Sequence, residues 1–190
     1  MRAFVAIEIP EEIKDFLKTL QDKLRRSGAD VKWVAPGNIH LTLKFLGEIQ
    51  DKQAKAVADI MQRVCPSHDD FIIALGELGA FPEITSPRII WVGLSRGGEE
   101  ATRLAGQLDE EFSLLGIPKE KKEFSPHLTI ARTRSGLNIT SLIQYLNDCR
   151  LMPREAKLQF SSSGVSLIKS NLTPQGPLYE PLKKVNLKAS

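Results

Sequence analysis

Little in this chain supports metal, redox or membrane chemistry. Of its 190 residues only two are cysteine and three histidine. Cys65 and Cys149 lie 84 residues apart (149 − 65 = 84), and neither belongs to a Cys-x-x-Cys pair or a ligand-spaced cluster. That leaves no zinc ribbon, no dithiol motif and no disulfide framework, so both read as structural thiols. No uninterrupted apolar stretch approaches the roughly 18 residues of a membrane helix. The N-terminus enters strand-like Met1-Arg2-Ala3-Phe4-Val5 directly, without a charged region followed by an apolar one. No membrane association is expected, and the cytoplasm is the expected location. A strong excess of one charge is also missing. A net +3 is too mild for a protein that grips a long nucleic-acid backbone, although it permits an anionic substrate. What remains is an ordinary globular composition, 26% charged and 42% hydrophobic. A chain of this length can bury roughly 70% of its unfolded surface without a staple.

The informative feature is an internal repeat. His40-Leu41-Thr42-Leu43 recurs as His127-Leu128-Thr129-Ile130, an offset of 87 (127 − 40 = 87). At the same offset Ala3-Phe4-Val5-Ala6-Ile7 falls on Ile90-Trp91-Val92-Gly93-Leu94, Phe71-Ile72-Ile73 on Leu158-Gln159-Phe160, and Pro87 on Pro174. Between these segments the apolar positions Ile13, Phe16, Leu17, Leu20 and Leu24 match Ala101, Leu104, Ala105, Leu108 and Phe112 at an offset of 88. A duplicated unit is the reading, roughly 1–86 and 87–190, within a single bilobal domain spanning 1–190.

Periodicity predicts a strand at 2–9, a helix at 11–26 after Pro10, a strand pair broken by Pro36-Gly37-Asn38, and a strand at 39–46 carrying His40. A helix at 51–64 and a strand at 71–78 follow. The second half predicts a strand at 88–95, a helix at 98–115, strands at 124–132, 156–169 and 178–187, and a short helix at 140–147. Several connections are too short for a parallel crossover. The expected fold is therefore α+β, with two pseudo-symmetric lobes from the duplication, each a mainly antiparallel sheet with outer helices. The joint is expected near 82–87, with the lobes packed tightly rather than hung on a linker.

Side chains at i and i+2 of a strand share a face, so His40 and Thr42 stand together about 7 Å apart along the strand, with Leu41 and Leu43 behind them. His127 and Thr129 do the same. A polar pair repeated identically inside an apolar strand costs stability unless it is hydrogen-bonded or used. Imidazole can be neutral in one copy and protonated in the other near neutral pH. One can then take a proton from a nucleophile while the other gives one to a leaving group, with threonine hydroxyls donating to non-bridging oxygens between them. That suits in-line displacement at a phosphodiester without a metal or cofactor. Pseudo-symmetry accepts either histidine as the base.

The opening Met1–Ile7, the run Asn38-Ile39-His40-Leu41-Thr42-Leu43-Lys44-Phe45-Leu46-Gly47, the run Ser125-Pro126-His127-Leu128-Thr129-Ile130-Ala131-Arg132 and the tail Leu172-Thr173-Pro174-Gln175-Gly176-Pro177-Leu178-Tyr179 carry a family resemblance. The chain resembles the two-histidine (2H) phosphoesterases, and within them the RNA 2′,3′-cyclic phosphodiesterases long called 2′-5′ RNA ligases. The resemblance implies hydrolysis of an RNA or nucleotide 2′,3′-cyclic phosphate end to a 2′-phosphate, with His40 as proton donor and His127 as proton acceptor. It also implies a bilobal fold with a central cleft, no metal requirement, and Arg132 near the substrate; a monomer is expected. Strict alternation sends residue 132 to the face opposite His127, so Arg132 reaches a phosphate only if the strand bulges or ends before it. Lys44 falls on the His40 face by the same counting and reads as a surface lysine. Arg88 precedes the second-half strand without a clear role. Trp33, Phe45, Trp91 and Tyr179 are read as core packing, with stacking on a base as their functional alternative. His68, in Ser67-His68-Asp69-Asp70, has no counterpart in the second half and reads as an exposed loop residue. Two other functions fit the same residues: reversible 2′-5′ ligation, in which an RNA 5′-hydroxyl replaces water, and a non-catalytic RNA-phosphate-binding module.

Overall fold

The computed structural model describes residues 1–150, 158–174 and 176–189. Positions 156 and 157 of the predicted strand 156–169, and Gln175 of the tail motif, lie outside the described residues. Among the described residues nine strands form one sheet: β1 (Arg2–Glu8), β2 (Val31–Trp33), β3 (His40–Glu48), β4 (Phe71–Glu83), β5 (Ser86–Arg96), β6 (His127–Thr133), β7 (Gln159–Ser162), β8 (Gly164–Thr173) and β9 (Gly176–Asn186). Four helices accompany them among the described residues: α1 (Glu11–Arg25), α2 (Asp51–Val64), α3 (Gly98–Ser113) and α4 (Ile139–Asp148). No helix is long and apolar enough to cross a membrane among the described residues.

Local chemistry accounts for these elements. In α1 the residues Ile13, Leu17, Leu20, Gln21 and Leu24 bury one face. Glu11 and Glu12 occupy its first turn and Lys23 and Arg25 its last, which complements the helix dipole. In α2, Gln50 and Gln53 close a reciprocal capping box. β1 alternates Ala3, Val5 and Ile7 into the main core, while Phe4 and Ala6 join Ile168 in a small cluster on the opposite face. Each fully buried Leu or Ile contributes about 1.5–3 kcal/mol, which drives the helices onto one face and leaves the other for the cleft.

The sheet order β7-β4-β5-β6-β3-β1-β8-β9, with β2 paired to β6, divides into the two expected lobes, and the sheet curls as a half-barrel. The strands of each lobe do not come from one half of the sequence, however. β4 pairs with β5 and β8 pairs with β1, so the last matched strand of each repeat crosses to the other lobe. Residues 82–87, the expected joint, form the tip of the β4–β5 hairpin, where Glu83 faces Ser86. The predicted strand at 156–169 is two strands, since β7 ends at Ser162 and β8 pairs with β9 as far as Thr173. The lobes meet where β3 and β6 touch at the single pair Leu41↔Leu128, which are repeat equivalents, so the pseudo-two-fold axis passes between them.

Candidate active site

Continuing the Leu41↔Leu128 register by one residue in each direction sets His40 against Thr129 and Thr42 against His127. The two His-x-Thr faces thus flank the one contact between the strands, each imidazole on the side of the other repeat's hydroxyl. His40, Thr42, His127 and Thr129 are all partly buried, and Leu41 and Leu128 are fully buried behind them.

Each ring is held the same way. His40 Nδ1 bonds the Asn38 carbonyl at 2.7 Å and His127 Nδ1 bonds the Ser125 carbonyl at 2.6 Å. A carbonyl only accepts, so Nδ1 carries the proton in both rings and Nε2 is left for chemistry. The Asn38 side chain donates to the Pro177 carbonyl at 2.8 Å, tying the turn that positions His40 to β9. Aromatic rings complete each wall. Phe4 stacks on His40 with centroids 4.6 Å apart and Tyr179 meets it edge-on at 5.4 Å. Phe81 meets His127 edge-on at 5.1 Å, with Trp91 at 6.1 Å.

Burial lowers the pKa of both histidines. For His40 the Asn38 hydrogen bond and the Glu8 carboxylate partly counter it. For His127 the Ser125 hydrogen bond counters it, whereas the Arg132 guanidinium lowers the pKa further. Tyr179 is raised by burial, against Arg132 and Arg2. The charge of Arg132 therefore reaches both lobes of the cleft.

It does so because β6 bulges. The register runs Ile90↔Ala131 and then Trp91↔Thr129, leaving Ile130 as the extra residue. Ile130 and Ala131 are both buried and Arg132 returns to the His127 face, exposed. β3 bulges at the repeat-equivalent residue, Leu43, between Val5↔Lys44 and Ala6↔Thr42. There the same device corrects the sequence reading of Lys44. Its side chain turns to the helix side, 2% exposed, with Nζ 2.6 Å from Asp109 Oδ1 and 2.7 Å from the Pro118 carbonyl. Phe45, the repeat equivalent of Arg132, takes the cleft face instead and is 58% exposed. The bulges are supported from the opposite repeat: buried Gln21 of α1 donates to the Ile130 carbonyl at 2.9 Å, while Asp109 of α3 holds Lys44.

The bulges also expose a flaw in the alignment of β1 with β5. Because Ala6 faces Thr42 and Trp91 faces Thr129, Trp91 is the structural equivalent of Ala6, not of Phe4. Hydrophobic alternation is unchanged by a slip of two, so sequence pattern cannot detect it. The bulky ring at this position requires glycine beneath it. A Cβ on Gly79 would lie 2.4 Å from the Trp91 ring and one on Gly93 3.2 Å from it.

Of the other aromatics, Trp33 packs against the core with Arg25 over its ring at 4.8 Å, while Trp91 and Tyr179 line the site. Arg88 faces no residue of β4, since Phe81↔Ile89 is followed by Pro82↔Pro87. His68 is partly buried rather than exposed and bonds the Gln107 side chain at 2.8 Å. Burial pushes the Cys65 thiol up to about 12, as expected of a structural cysteine. No group of three or more His, Cys, Asp or Glu side chains is placed to hold a metal among the described residues.

A family model described as LigT-like phosphoesterase matches residues 7–91 and again 92–179. The chain belongs to this family. The two consecutive matches agree with the duplication. Among relatives, an RNA 2′,3′-cyclic phosphodiesterase of Methanocaldococcus jannaschii is 35% identical, covering 97% of this chain and 99% of its own length. One of Methanothermobacter thermautotrophicus is 30% identical, covering 98% and 99%. A crystal structure from Thermus thermophilus superposes with a TM-score of 0.81 at 30% identity, covering 100% of this chain and 99% of that one. The resemblance of the His-x-Thr runs is thus one of whole chains, not of short motifs.

Proposed function

We propose that this phosphoesterase hydrolyses RNA or nucleotide 2′,3′-cyclic phosphate ends to 2′-phosphomonoesters. The observation that carries the reading is the pair of His-x-Thr faces set against each other across the Leu41↔Leu128 contact, each imidazole pinned through Nδ1 so that Nε2 points to the chemistry. His127 Nε2 takes a proton from water as its oxygen bonds to phosphorus, and the P–O3′ bond breaks as His40 Nε2–H protonates the departing O3′. Solvent exchange then returns His127 to neutral and His40 to its protonated form. Thr42 and Thr129 donate hydrogen bonds to the non-bridging oxygens and Arg132 neutralises their charge, with no metal or cofactor taking part. The activity named for the full-length relatives supports the substrate class. Burial lowers both imidazoles and Arg132 lowers His127 further, which suits a neutral His127, while the division of roles follows the family resemblance. The reading includes a monomer acting in the cytoplasm, and two buried free thiols agree with a reducing compartment.

Product identity tests it. A 2′,3′-cyclic mononucleotide incubated in excess chelator and followed by ³¹P NMR should give the 2′-phosphomonoester alone. Formation of the 3′-phosphate, or no turnover until a divalent ion is restored, would overturn the proposal.

A further inference from the structure

Glu8, the last residue of β1, lies directly across from His40 in the β1–β3 register. Opposed residues share a face, so carboxylate and imidazole look into the same cleft, where both line a cavity of about 160 Å³ with Asn38 and Tyr179. The carboxylate is held in place, because the hydroxyl of Ser166, itself only 1% exposed, donates to Glu8 Oε1. Among the described residues the other lobe has no such pair at the equivalent place. Gly93 is the residue across from His127, and Gly79 occupies the place of Ser166, facing Trp91 as Ser166 faces Ala6. Where one lobe carries Glu8 and Ser166, the other is filled by the Trp91 ring. The pseudo-symmetry of the two imidazoles is therefore broken at this point by a single charge.

We propose that Glu8 is the positioning residue that makes His40, rather than His127, the proton donor. A carboxylate across the strand stabilises the imidazolium of His40, whereas glycine stands in that place across from His127. The inference rests on the two-histidine reading above. The other charged and titratable groups around His40 do not replace Glu8. Lys14 of α1 lines the same cavity but is paired with Glu11 at 2.7 Å. Tyr179 of β9 meets the ring edge-on. Lys184 stands opposite Ser166 on β9, one strand further out than Glu8, while Arg2 and Arg132 act on Tyr179. Lys44 is turned to the helix side. Burial is the largest influence and lowers both imidazoles; against it Glu8 raises His40, whereas Arg132 lowers His127 further.

Glu8→Gln tests this cleanly, because the amide oxygen still accepts from Ser166 and only the charge is lost. Histidine titration by ¹H–¹⁵N NMR should show the His40 midpoint moving to lower pH while that of His127 stays in place. The pH optimum of kcat/KM should move to lower pH, with a several-fold loss on the alkaline side carried by kcat and KM nearly unchanged. Ser166→Ala, which frees the carboxylate without removing it, should give a smaller shift in the same direction. An unmoved His40 midpoint in Glu8→Gln, or equal shifts in both histidines, would overturn the proposal. A His40→Ala control separates the two levels. Turnover surviving that change would sink the two-histidine reading itself, whereas its loss together with an unaltered Glu8→Gln enzyme would sink only the role of Glu8.

Discussion

Replacing Lys44 with methionine separates two accounts of the histidine strand. Strict alternation places Lys44 in the cleft four residues after His40, whereas the bulge at Leu43 turns it to the helices. There its side chain is 2% exposed and its ammonium meets Asp109 Oδ1 at 2.6 Å, the Pro118 carbonyl at 2.7 Å and Glu120 Oε1 at 3.5 Å. Methionine retains most of the buried stem and deletes the charge. Removing one partner of a buried ion pair costs about 3–5 kcal/mol, because the other is left uncompensated. Asp109 keeps 19% of its side-chain surface exposed and still accepts from the Glu120 N–H at 3.3 Å, which discounts the penalty. The expected loss is about 2–3 kcal/mol, equivalent to roughly 5–10 °C in Tm for a domain of this size. Calorimetry measures the loss, and kcat/KM assayed well below the transition should remain within about two-fold of wild type. The double variant K44M/D109L should recover part of the stability, since an apolar pair leaves no orphaned charge. An unchanged Tm accompanied by a ten-fold or greater loss of kcat/KM would refute the bulge geometry and return Lys44 to the cleft.

Two further outcomes follow from the cleft chemistry. Thr→Val at position 42 or 129 keeps shape and β-branching but removes the donor, so kcat/KM should fall on the order of 10- to 1,000-fold, mainly in kcat, with Thr→Ser retaining most activity. Wild-type rates in both folded valine variants would reduce the hydroxyls to strand-surface groups. With His127 as the proposed base, Arg132→Gln should raise its pKa, because the guanidinium lowers it, and a base with a higher pKa is neutral only at higher pH. The optimum of kcat/KM should therefore move upward with loss on the acid side; a downward shift or none would show that Arg132 does not act on the base.

The two His-x-Thr pairs were legible from sequence because identical polar residues inside apolar strands stand out, and their spacing of 87 marks them as repeat equivalents. What surrounded them was less so. Leu43 and Ile130 are apolar residues in apolar strands, and nothing in their identity says that each is the extra residue of a bulge. Yet those two positions decide that Arg132 turns to the cleft face and that Lys44 turns away from it. Aligning Phe4 with Trp91 looked sound for a related reason, since a two-residue slip preserves every face. Only the cross-strand partners Thr42 and Thr129 reveal that Ala6 and Trp91 correspond. The crossing of β4 and β8 between lobes was invisible because a repeat fixes the order of strands and not which neighbour each will pair with. Phe4 and Phe81 escaped notice as wall residues because an aromatic in a strand usually signals packing, and here the surface they pack against is a histidine ring.

A mutant cycle on His40 and His127 tests the central claim most directly. Each single change to alanine should lower turnover of a 2′,3′-cyclic nucleotide at least about 100-fold, and the double variant should be far less impaired than the product of the two effects, because a donor without its base achieves little. Near-normal turnover in either single variant, or fully multiplicative losses in the double, would contradict a mechanism in which the two imidazoles act as one unit.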